Sequence, residues 1–166
     1  MGSVGFKEWA VVCDALGRGE QSVLVRKGGI AEGRDGFAFR EREFFLFPTF
    51  FHAQLEQTRL GAEKLTDTRA GEIELRYFAK VTASRIVTDW DDVIALEPLH
   101  ILKREVIEER FGYGPSAGVH VAFVQVFRLH PTWVIADAPG YRGCRSWVAL
   151  PDLPEGIALE PVGAGV

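Results

Sequence analysis

Apolar positions change period several times along the chain, and each change marks an element. Phe6, Trp9, Cys13 and Leu16, with Val12 beside them, fall at helical spacing while Lys7, Glu8 and Asp14 take the other positions. Residues 5–17 therefore predict an amphipathic helix stopped by Gly17 and Gly19. Ser22–Arg26 reads as a strand. Phe37–Phe47 predicts one long strand or two short ones, ended by Pro48, with Thr49 capping a helix over Phe50–Arg59. Residues 61–71 are polar and predict a loop. Glu72–Thr88 alternates, with Ile73, Leu75, Tyr77, Ala79 and Val81 on one face of a strand. Asp89 is placed to cap a short helix through Leu96, stopped by Pro98, and Lys103–Phe111 predicts a second one closed by Gly112 and Gly114. Val119–Leu129 is apolar on both faces apart from Gln125, which predicts a central strand. Trp133–Ile135 and Ser146–Leu150 predict two more. Beyond Pro151 the composition turns to Pro, Gly and Ala.

Strands and helices are interspersed without the regular βαβ rhythm of a doubly wound sheet. The fold class this predicts is α+β: one globular domain over residues 5–151 with a curved mixed or antiparallel sheet and flanking short helices. Residues 152–166 are expected to be a poorly ordered tail.

Composition narrows the function classes. The chain has 166 residues, enough for one ordinary domain with a substantial core. A net charge of −4 argues against a dominating basic surface, so any nucleic-acid contact must come from a local patch. Cys13 and Cys144 are too few for a disulfide framework. No apolar run approaches the roughly 18 residues a membrane span needs, and the first residues lack the pattern of a secretory signal. A cytoplasmic location, no membrane partner and no cofactor are the expectations.

Three stretches could carry chemistry. Arg26-Lys27-Gly28-Gly29 ends a strand in two cations and two glycines, which can present positive charge and backbone N–H groups to an anion. It matches neither the phosphate-loop nor the dinucleotide glycine pattern; the alternative is a hairpin turn with solvated charges. Thr49 and His52 come after the aromatic strand, and His52 in the first turn of a helix would be kept neutral, able to act as base or ligand. Tyr141-Arg142-Gly143-Cys144-Arg145-Ser146-Trp147 is the third. A thiol between two arginines favours the thiolate where the side chains converge, making Cys144 the best nucleophile in the chain, with His52 or His100 as base. The same loop can serve recognition: Tyr141 and Trp147 offer stacking faces, Arg142 and Arg145 phosphate contacts. His120 and His130 flank the central strand and read as surface or loop residues. Metal chemistry has little support, since Glu72 and Glu74 share a strand face without a histidine at ligand spacing.

These residues resemble an uncharacterised bacterial family, domain of unknown function 1802. The likeness is carried by Lys7-Glu8-Trp9-Ala10, by Leu24-Val25-Arg26-Lys27-Gly28-Gly29-Ile30, by Phe45-Leu46-Phe47-Pro48-Thr49 with His52, and by Gly143-Cys144…Ser146-Trp147-Val148. It covers most of residues 5–150. One departure is Ala53 before Gln54, where the resemblance places a glutamine directly after the histidine. Membership implies no established activity. A looser architectural resemblance is to PUA-like modules, including the ASCH and EVE types, which are small open-barrel sheets that bind RNA or modified bases in an aromatic cleft.

Three readings are open. The first is a module that binds RNA, DNA or a phosphate-bearing small molecule through Arg26, Lys27, Arg142 and Arg145. The second is an enzyme using Cys144 or His52. The third is a structural or regulatory protein whose motifs fix the fold. Whether the two arginine-bearing segments meet decides among them.

Overall fold

The computed structural model describes residues 2–27, 37–51, 53–59 and 70–163. Its elements in chain order are β1 (Ser3–Trp9), α1 (Ala10–Gly17), β2 (Val23–Arg26), β3 (Glu43–Thr49), β4 (Glu72–Val87), α2 (Trp90–Ala95), α3 (Arg104–Gly112), β5 (Val119–Ala136), β6 (Trp147–Leu150) and β7 (Ala158–Pro161). The seven strands form one open mixed sheet in the order β2-β5-β4-β3-β1-β6, with β7 also paired to β5. Only β1 and β3 run parallel; the other pairings are antiparallel. The α+β expectation with a curved mixed sheet and short flanking helices holds.

Both faces of the sheet are covered, which explains the aromatic run in β3. Phe44 and Leu46 point into the core beneath the helices, and Phe45 and Phe47 into a second core on the opposite face. The first core takes in α1, α2 and α3 through Val12, Leu16, Val93, Val106 and Ile107. The second is built from Phe45, Phe47, Leu75, Phe78, Trp133 and Val148 among others. Gly17 lets α1 lie on the sheet: a Cβ there would sit 2.0 Å from the Tyr77 ring.

The N-terminal segment corrects the sequence reading. Residues 5–9 are strand, not helix, and the helix begins only at Ala10. β1 lies between β3 and β6, so its backbone groups are satisfied by neighbours on both sides, and Lys7 and Glu8 are buried. The helical spacing of Phe6, Trp9 and Cys13 straddles a strand–helix junction. Residues 37–42 are not strand, and Pro48 does not end β3 but pairs with Glu8 inside it. β4 pairs β3 only over Glu43–Phe45, so the missing N–H of Pro48 costs no ladder bond on that side. Thr49 caps no helix; the next helical turn is a 3₁₀ one at Leu55–Gln57.

Elsewhere the correspondence is closer. Asp89 caps α2, its carboxylate accepting from the Asp91 N–H at 2.8 Å and the Asp92 N–H at 3.4 Å. The two strands expected at Val119–Leu129 and Trp133–Ile135 are one, β5, with a register irregularity opposite Leu75–Tyr77 where His130 precedes Pro131. His120 and His130 both lie within it. The stretch read as a tail carries β7, paired to Phe127–His130 of β5, and Leu153 and Ile157 pack against the second core.

Candidate functional site

β2 delivers Arg26 to the middle of the molecule. Its guanidinium lies 4.6 Å from the centroid of Phe6 and 5.8 Å from that of Phe37, and it donates to the Lys7 carbonyl. Its Nε–H is buried without a partner among the described residues. Lys27, next along, donates to three carbonyls: Phe111 at 3.1 Å, Gly118 at 2.8 Å, and Ser116. An ammonium has three protons, and here all three are engaged, one by the last turn of α3 and two by the connection from α3 to β5. Gly28, Gly29 and His52 lie outside the described residues. Thr49 is half-buried and its hydroxyl donates to the Glu8 carbonyl at 3.2 Å.

The downstream loop approaches β1 from its other edge. Trp147 pairs with Phe6 across the β1–β6 ladder. Its ring lies 5.0 Å from Phe6 and 5.3 Å from Phe44, runs parallel to Phe37, and its indole N–H donates to the Ala38 carbonyl at 3.2 Å. Tyr141 is half-buried, edge-on to Phe47 at 5.3 Å. Both rings expected to stack on a ligand thus pack on the protein. Arg142, Cys144 and Arg145 are exposed.

The two segments meet on Lys7. Arg26 takes its carbonyl, the Ser146 carbonyl accepts from its backbone N–H at 2.8 Å, and its ammonium donates to the Gly143 carbonyl at 3.0 Å. Burial holds the Lys7 ammonium below the ordinary lysine range, with nearby Cys144 working against that shift and Arg145 adding to it. Nothing in the local sequence distinguishes Lys7 from a solvated lysine; its burial comes from the strands on either side.

A second feature escaped the sequence reading entirely. Where β1 ends, an open groove of about 350 Å³ is lined by Trp9, Phe51 and Tyr113 together with Lys27, Glu109 and Arg110. The Arg110 guanidinium lies 4.9 Å from the centroid of Trp9 and donates to the Val25 carbonyl at 2.8 Å. Phe51 meets Trp9 edge-on at 4.9 Å. Phe51 and Tyr113 are 40% and 52% exposed, unusual for rings in a domain with so much buried aromatic surface. Beneath the groove Glu8 is buried, its Oε1 accepting the Trp9 N–H at 2.8 Å. Gln54, fully buried, holds the chain that carries Phe51: it accepts from the Val11 N–H at 2.9 Å, one of the unmatched donors of the first turn of α1, and donates to the Thr49 carbonyl at 3.2 Å. That gives the displaced glutamine a structural task.

The described histidines are not gathered here. His100 is buried with a pKa pushed down to about 4, chiefly by desolvation and then by Arg59, and its Nδ1 accepts from the Leu102 N–H at 3.2 Å. His120 is half-buried against Phe37, its pKa lowered by burial and by Lys27. His130 is exposed and pairs with Glu160. Among the described residues no group of three His, Cys, Asp or Glu is arranged to hold a metal ion.

The family model described as Domain of unknown function (DUF1802) matches residues 5–164. The chain belongs to this family. No curated protein matches the sequence. Among solved structures, the DUF1802 chain is similar to ASCH from Zymomonas mobilis, with a TM-score of 0.51 at 11% identity over 90% of this chain and 87% of that one. A mutant form of the same Zymomonas mobilis protein gives 0.53 at 11% identity, over 90% and 91%. At that identity the likeness establishes the fold, a PUA-like one, and leaves the chemistry to the site. Among the described residues no helix is long and apolar enough to cross a membrane.

Proposed function

We propose that this DUF1802 protein is a nucleic-acid-binding module, with single-stranded RNA its preferred ligand, and that the groove at the end of β1 is where bases are held. The observation that carries the reading is the ring set Trp9, Phe51 and Tyr113 around an open groove, with the Arg110 guanidinium fixed over one of them. Exposed rings beside cations suit the stacking of bases and the neutralisation of phosphates. The PUA-like fold adds support at the level of architecture alone. Relative to the sequence reading, the stacking surface moves from Tyr141 and Trp147 to Phe51 and Tyr113, because the former pair is engaged internally. Arg142 and Arg145 are exposed and serve as further phosphate contacts, whereas the protons of Lys27 are already engaged.

The test is binding of a short single-stranded RNA at low salt, read by filter retention or fluorescence anisotropy. Phe51→Ala with Tyr113→Ala should weaken binding about tenfold or more, since stacking contributes roughly 1–3 kcal/mol per base. Both side chains are exposed, so the double variant should keep its far-ultraviolet circular dichroism. If the wild-type protein retains no RNA, DNA or nucleotide at low salt, the reading fails.

A further inference from the structure

α3 turns one side toward the groove. Val106, Glu109 and Arg110, with Tyr113 just past the helix end, follow at intervals of three and four residues, and all of them line it. Gln57 joins them from the 3₁₀ turn Leu55–Gln57, which is tied to the start of α3 by the Lys103 N–H donating to the Gln57 carbonyl at 2.9 Å. These polar groups differ in what they already hold. Lys27 and Arg110 donate to backbone carbonyls. Glu109 is exposed, and among the described residues its carboxylate has no ion pair or hydrogen bond; the side-chain amide of Gln57 has no hydrogen bond either. A carboxylate beside a polyanion repels every phosphate alike and weakens binding to any sequence. Next to stacking rings it has a different use, on the edge of a base, where its two oxygens accept and neither donates.

We infer that the groove selects guanine, with the Glu109 carboxylate accepting from the N1–H and the N2 amine of the stacked base. The inference rests on the nucleic-acid reading above and names the base that the site prefers. Guanine is the standard base whose Watson–Crick edge sets two donors side by side, the match for the two oxygens of a carboxylate. Adenine and cytosine offer one amine beside a ring nitrogen that accepts, and uracil one N–H between two carbonyls. Each of these sets an acceptor against a carboxylate oxygen. The Gln57 amide, which can donate, serves the guanine O6. That whole edge is open only in an unpaired strand, in keeping with a single-stranded ligand. A groove of about 350 Å³ lies near the small end of ligand sites and suits one base with its sugar.

The experiment measures anisotropy on the full-length protein with short oligouridine strands that differ at one central position: guanosine, inosine, adenosine or uridine. Guanosine and adenosine are both purines with similar stacking faces, so their ratio isolates the edge. The guanosine strand should bind about tenfold tighter than the adenosine strand, the scale of one good two-bond contact to a base. Inosine, which lacks the N2 amine, should fall between them. Glu109→Gln, at an exposed position that leaves the fold intact by circular dichroism, should bring the guanosine-to-adenosine ratio down to unity. Phe51→Ala with Tyr113→Ala should instead weaken the guanosine and adenosine strands together. Equal binding of the guanosine and adenosine strands overturns the inference and leaves the nucleic-acid reading standing. A guanosine preference that persists in Glu109→Gln, or one that inosine matches in full, also overturns it. If none of the strands binds at low salt, the reading itself fails and the inference falls with it.

Discussion

His100 shows how one side chain can set a pH dependence for the whole fold. It is buried, and its neutral ring accepts the Leu102 N–H through Nδ1, so protonation removes an acceptor and places a charge in a desolvated site. Its pKa is about 4 in the folded protein against an ordinary value of 6.5. A base with a lower pKa in the folded state binds fewer protons there than in the unfolded chain. Stability is therefore complete above the unfolded value near 6.5 and declines as pH falls toward about 4. The expected loss is about 2 kcal/mol between pH 7 and pH 5, measured as a shift in the urea unfolding midpoint. His100→Gln, which keeps an acceptor oxygen, should flatten that part of the profile. An identical slope in the variant would assign the dependence to other groups. Lys27 makes the same point from the other side: a residue that reads as an anion contact is committed to three carbonyls in the last turn of α3 and the connection after it.

β7 is the element whose importance most exceeds its sequence signal. Ala158–Pro161 is short and exposed, yet it pairs with Phe127–His130, and the Val162 N–H donates to the Val126 carbonyl at 2.9 Å. Leu153 and Ile157, on the way to it, pack on the second core. Ending the chain after Pro151 would unpair one edge of β5 over Phe127–His130 and uncover the second core beside it. The truncated protein should melt several degrees lower, as a loss of about 1–2 kcal/mol does in a domain of this size. It should also self-associate, because an unpaired strand edge beside an uncovered apolar core templates further strands. Light scattering and a thermal melt read both effects; a monomer of unchanged melting temperature would make β7 an ornament. The elements legible from sequence are those whose signal is local: the Asp89 cap, the alternation in β4, the continuous apolar run in β5. β1 is not among them, because Phe6, Trp9 and Cys13 keep helical spacing across a junction, and because a central strand buries Lys7 and Glu8 where polarity predicts a surface. The candidate groove is still less visible. Trp9, Phe51 and Arg110 come from the end of β1, the segment after β3 and α3, and only the sheet order brings them together. By contrast, residue type alone marks Arg26-Lys27 and the Gly143–Trp147 loop, although it does not reveal their meeting point on Lys7.

At the scale of the molecule, charge constrains what kind of nucleic-acid binding is physically available. A net charge of −4 gives a weak overall repulsion toward a polyanion, so attraction must come from the few cations that are both local and uncommitted. Lys27 is committed, Lys80 pairs with Glu43, and Arg104 pairs with Glu97. In the proposed binding mode the exposed Arg142 and Arg145 carry the phosphate contacts, and Arg110, which already donates to the Val25 carbonyl, adds its charge at the groove. Each phosphate neutralised on a single strand contributes about −0.7 to the slope of log affinity against log salt. Two to four contacts predict a slope of about −1.4 to −2.8, so that a fourfold rise in salt weakens binding by roughly 7- to 50-fold. The residual, salt-insensitive affinity should reside in the stacking rings and disappear in the Phe51→Ala, Tyr113→Ala variant, whose slope should stay near that of the wild type. Arg142→Gln with Arg145→Gln should do the reverse, flattening the slope by about one unit or more while leaving the high-salt affinity almost intact. Anisotropy titrations at four or five salt concentrations separate the two. A slope steeper than about −5 would require a broad basic footprint that this chain does not possess, and would mean that the bound species was not held at this groove.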